Sequence, residues 1–159
     1  MLSGNLKLIG RVGLLSGFLI AVAAPRGQAE ENNEWGKLEG TWLTEVSERV
    51  CGTTTVLRTF PAINTFNKGE TMIDTTTGIS PGMRTPGMGK WEKTGPHTYS
   101  ATSVAFIFGP TGAWTATQTL KHVIKVNGDE NSFDSTVEIK DPAGNVLATG
   151  CALAVGHRM

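Results

Sequence analysis

The chain has 159 residues, with 14 basic and 14 acidic side chains and 39% hydrophobic residues. That is enough for one ordinary domain with a single core, and the absence of a basic excess argues against a nucleic-acid partner. Its two cysteines, Cys51 and Cys151, lack the Cys-x-x-Cys spacing of redox and metal sites, so no metal or other cofactor is expected.

Residues 1–29 read as an export signal. Lys7 and Arg11 precede an apolar run from Val12 to Ala24, and Gly27-Gln28-Ala29 supplies small residues at a cleavage point. The run is too short to cross a hydrocarbon core of about 30 Å as a helix, so no membrane association is expected once the signal is removed. Residues 30–159 then form one domain, with 11 bases against 14 acids. Its expected location is secreted or periplasmic. In such an oxidising compartment Cys51 and Cys151 are expected to form a disulfide.

After a polar lead-in the chain breaks into β-type runs near 41–51, 56–66, 70–77, 88–94, 97–108, 113–126, 131–140 and 145–157. Clusters of Gly, Pro, Asn and Asp close them, among them Asn67-Lys68-Gly69, Gly95-Pro96, Asn127-Gly128-Asp129 and Asp141-Pro142-Ala143-Gly144. The sixth run has the clearest period of two. Trp114, Ala116, Gln118, Leu120, His122 and Ile124 fall on one face, against threonines and lysines on the other. Short connections make successive strands antiparallel neighbours. The expected fold is all-β: an eight-stranded antiparallel up-and-down barrel, which leaves no free sheet edge. Its first and last strands must pair, and a register that sets Cys51 opposite Cys151 would set Thr44 opposite Arg158.

Leu38-Glu39-Gly40-Thr41-Trp42 resembles the Gly-x-Trp signature that opens the barrel in lipocalins and related calycins. The resemblance implies that an Arg of the last strand, here Arg158, packs over the Trp42 ring at the closed end. More broadly, the chain resembles small exported lipocalin-like bacterial proteins.

With Trp42 inward, the even positions of the last strand also face inward. They include Ala148, Gly150, Ala152 and Ala154, a wall too slight to fill a barrel alone. Phe60, Phe66, Phe106, Trp114 and Leu120 are candidates to fill or line the space, and Glu48, Gln118 and His122 would add polar groups. Glu48, Phe106, Trp114, Gln118, Leu120 and His122 are therefore the candidate ligand-binding residues. Gly78-Ile79-Ser80-Pro81-Gly82 fits the nucleophile elbow of α/β-hydrolases. Pro81, however, has no N–H for an oxyanion and no helical pattern follows, so the match is a turn-rich loop. No catalytic residue is assigned.

Three functions remain open. A non-enzymatic barrel would bind a small, largely apolar molecule inside. A barrel enzyme resembling allene oxide cyclases would act on a lipid-like substrate, with Glu48 and His122 as acid/base groups. A structural or interaction module would have a filled core.

Overall fold

A computed structural model describes residues 37–159; residues 1–29, expected to be an export signal, and Trp35 lie outside the described residues. Eight strands follow in order: β1 (Gly40–Arg49), β2 (Val56–Asn67), β3 (Thr71–Thr76), β4 (Gly87–Gly95), β5 (Thr98–Phe108), β6 (Trp114–Asn127), β7 (Glu130–Lys140) and β8 (Val146–Arg158). Each pairs antiparallel with the next and β8 pairs with β1, which closes an up-and-down barrel. No helix occurs among the described residues.

Alternation puts one face of each strand into the core. On β5, Tyr99, Ala101, Ser103 and Ala105 are buried, while Thr102, Val104 and Phe106 are exposed. One end of the barrel is filled: Phe66 meets Trp91 edge-on and stacks with Phe133, each pair 6.3 Å between centroids. Burying such side chains contributes roughly 1.5–3 kcal/mol apiece. Trp91 belongs to this core, and its Nε1 donates to the carbonyls of Asn67 and Thr71.

The filled end is capped by the segment before β1. Leu38 is fully buried, and its carbonyl accepts a hydrogen bond from Trp42 Nε1 at 2.8 Å. The Arg158 guanidinium lies 4.2 Å from the Trp42 ring centroid and donates to the carbonyls of Glu39 and Lys37 at 2.6 and 2.8 Å. Gly40 is needed there. It has φ +124°, and a Cβ on it would stand 2.7 Å from Arg158 Nη1.

Cys51 and Cys151 form a disulfide, with Cα atoms 5.1 Å apart. The register between the outer strands differs by two residues from the expected one: Arg158 lies opposite Trp42, and Thr44 opposite Gly156. The cause is the turn after β1, where Val50 N–H donates to the Thr55 carbonyl and Thr53 N–H to that of Val50. Strand β1 therefore ends at Arg49, the partner of Cys151, and Cys51 reaches back from the turn. A slip of two between β1 and β8 leaves which face of each of these two strands points inward unchanged, because side chains repeat with that period.

One seam is short. Strands β3 and β4 pair over only four positions, Thr71–Asp74 with Lys90–Gly87. Before β4 the chain turns to β5 instead: Arg84 bridges Ile107, Thr85 N–H donates to the Phe106 carbonyl, and Phe108 N–H donates to that of Met83.

Candidate functional site

Above the filled end lies a chamber of about 80 Å³. Its apolar wall includes Phe60, Leu120, Phe133, Ala152 and Ala154; of the small β8 residues expected inward, Ala152 and Ala154 bound it, whereas Gly150 does not line it and Ala148 is exposed. The polar part comprises Thr44, Asn64, Asp74, Thr76, His122 and Ser135.

Asp74 and Arg84 form an ion pair in which Arg84 Nη2 donates to Asp74 Oδ1 at 2.6 Å. The other Asp74 oxygen accepts from Ser103 Oγ at 2.6 Å. Arg84 also donates through Nε to Gln118 Oε1 at 2.7 Å and through Nη1 to the Thr85 carbonyl. Charges this deep are tolerated only when paired and hydrogen-bonded, as both are here. Asn64 Nδ2 donates to Thr44 Oγ1, which donates to the Ala62 carbonyl.

His122 lines the chamber with a different balance. Its Nδ1 lies 2.7 Å from Ser135 Oγ, and its ring meets Phe133 edge-on at 5.7 Å. Nε2 is buried without a hydrogen-bond partner, a state that costs about 1–3 kcal/mol. Burial pushes the imidazole from 6.5 down to about 4, against the opposing pull of the Asp74 carboxylate, so it is neutral at pH 7.

Of the six residues singled out in the sequence, Leu120 and His122 line the chamber; Gln118 does not, its Oε1 accepting from Arg84, which in turn pairs with the lining Asp74. Glu48 does not line it. Although Glu48, Ala152, Ser135 and His122 follow one another across β1, β8, β7 and β6, Glu48 turns to Arg58 Nε at 2.5 Å near the open end. No acid/base pair of Glu48 and His122 is assembled.

Phe106 and Trp114 are corrected outright, because both lie on the outer wall. Phe106 holds an outward position of β5 and is 49% exposed. Trp114 leaves the inner face because the β5–β6 register shifts at Ile107/Phe108: Ala116 opposes Ile107 and Trp114 opposes Phe108, leaving Thr115 as an extra residue. The indole then packs edge-on against Phe106 at 6.1 Å and is 45% exposed.

Sequence reasoning missed Asp74 and Arg84. The alternation of Met72 and Asp74 in a short strand was a usable signal for the first, since Met72 is buried on the same face. Arg84 sits in a Pro- and Gly-rich segment with no periodicity to read. Compared with protein-family models, curated proteins and solved structures, the chain gives no significant match to any of them.

Proposed function

We propose that this is an exported, lipocalin-like barrel that binds a small, largely apolar ligand in its mid-barrel chamber. The observation that carries the reading is the chamber itself, walled on one side by Ala152 and Ala154 where larger side chains would close it. The stacked Trp42 and Arg158 support the lipocalin-like reading. Export is supported by the signal-like residues 1–29 and the disulfide, a bond that persists in oxidising compartments.

Volume limits the occupant. An apolar cavity of roughly 150 Å³ admits benzene, and drug-sized ligands take roughly 300–1,000 Å³. A chamber of about 80 Å³ suits a molecule, or the end of one, with only a few heavy atoms.

The contact between Ser135 and His122 is what favours an enzymatic reading. It ranks second, because an imidazole whose conjugate acid titrates near pH 4 is a weak base toward a hydroxyl.

Xenon uptake followed by methyl NMR tests the proposal. Saturable shifts are expected at Leu120, Ala152 and Ala154. Ala152→Leu should abolish them while changing stability by no more than about 1 kcal/mol. A wild type that takes up no xenon, or a variant that loses more than about 3 kcal/mol, would favour a structural module with a filled core.

A further inference from the structure

Alternation sends one side of each strand to the outer wall, and on β2 to β6 that wall is apolar beyond anything the core requires. Ile63, Ile73, Met88, Val104, Phe106 and Trp114 are between 37% and 65% exposed. The register joins them into one face. Ile73 lies opposite Met88, and Met88 opposite Val104. Phe106 is the next outward residue of β5 and meets the Trp114 indole edge-on. Ile63 stands two residues before Thr65, the partner of Ile73. The face straddles the short seam between β3 and β4.

No charged side chain interrupts it. Its flanks are threonines: Thr75 opposite Ile63, Thr65 opposite Ile73, Thr119 opposite Val104 and Thr117 opposite Phe106. Lys90 and Lys121 border it one row toward the capped end, each opposite Thr102. Elsewhere the outer wall carries exposed charges, as at Glu45 on β1, Lys125 on β6 and Asp134 on β7.

Area and chemistry together name the occupant. With a whole aromatic side chain worth about 150–250 Å², the six residues leave on the order of 500 Å² of apolar surface in water. A standard interface covers about 800 Å² of each partner, and in homodimers about 65% of it is apolar, which is the same quantity. A threonine hydroxyl both donates and accepts, so a threonine rim can pair with its own image, whereas a charged rim would meet like charge. Two bordering lysines fall short of the roughly four to eight bases that hold a protein to an anionic membrane. With a two-fold axis across the strands the copies run head to tail, and their lysine rows lie at opposite ends.

We propose that the outer wall of β2 to β6 is a dimer interface, occupied face to face by a second copy of this chain. The proposal is independent of the chamber and of any ligand in it.

Sedimentation velocity of the protein purified after export should give twice the mass of one chain, with a Kd in the micromolar range or below. Dilution should move the methyl signals of Ile63, Ile73, Met88 and Val104 and leave those of Val123 and Leu153, which lie on the outer wall of β6 and β8. Met88→Lys combined with Phe106→Lys should weaken the dimer at least about a hundredfold by setting like charges across the axis, with the urea midpoint unchanged. Val123→Lys should not weaken it. Met88→Glu combined with Phe106→Glu should also be monomeric, and mixing the two double variants should restore a dimer containing one copy of each. If the double variants lose stability, the dilution map of the wild type decides alone. A wild type that stays monomeric at its highest soluble concentration overturns the proposal. So does a dimer whose dilution shifts fall on Val123 and Leu153, or one that folded double variants leave intact. A monomer that binds neutral phosphatidylcholine vesicles also overturns it and gives the face to a lipid surface.

Discussion

Arg84 reaches from the segment before β4 to Asp74 on β3, across the shortest seam of the barrel, with the two side chains 3% and 5% exposed. Removing one partner strands a buried charge, which costs about 3–5 kcal/mol, whereas replacing both with apolar groups is far milder. Asp74→Asn and Arg84→Met should each lower the urea midpoint sharply, and Asp74→Leu with Arg84→Met should recover most of the loss. Single variants within about 1 kcal/mol of wild type would show that the pair contributes little.

The same pair constrains Gly87. A Cβ there would lie 2.0 Å from Asp74 Oδ2, so Gly87→Ala should cost about 2 kcal/mol or more. In an Asp74→Ala background the obstacle is gone. A double-mutant cycle should give a coupling above about 1 kcal/mol; additive effects would place the cause elsewhere.

His122 predicts a pH dependence. Its folded value, about 4, lies below the ordinary 6.5, so the unfolded chain binds the proton more tightly. The stability tied to the neutral ring is complete above pH 6.5 and falls as pH drops toward 4. The total is about 3 kcal/mol, at roughly 1.4 kcal/mol per unit. The difference in unfolding free energy between wild type and His122→Gln should slope across this window, and a flat difference would contradict the buried neutral ring.

At the capped end, Arg158→Met removes the contact over Trp42 and both bonds to the lead-in carbonyls. A loss of about 2 kcal/mol is expected. Arg158→Lys should restore little, because an ammonium lacks the planar fork that spans two carbonyls. Asp129, 86% exposed, also touches Arg158, yet Asp129→Asn should change stability by less than about 0.5 kcal/mol. Chemical denaturation of the three variants decides between clamp and surface pair.

Much of the fold was readable because strands and turns carry strong local signals. The period of two in β6 and the Gly, Pro, Asn and Asp clusters locate the elements to within a residue or two, and the cysteine pair marks the closing strands. Phe106 misled because both faces of β5 carry apolar residues, and the small ones, Ala101 and Ala105, are inside, where the crowded interior leaves little room. Trp114 misled because one extra residue, Thr115, breaks the alternation, and such bulges have no reliable sequence mark. Arg84 acquires its meaning only when its segment turns toward β5, a tertiary event.

The bond between Cys51 and Cys151 spans a sequence separation of 100 and encloses β2 through β7 whole. In connectivity the domain is therefore a ring with two tails, and those tails, β1 and most of β8, run side by side toward the capped end. Cutting the ring once does not divide it. A protease that cleaves the exposed turn at Pro142–Asn145 opens the loop but leaves one covalent molecule, heavier only by the water consumed. Two fragments would part only after reduction and loss of the strand pairing.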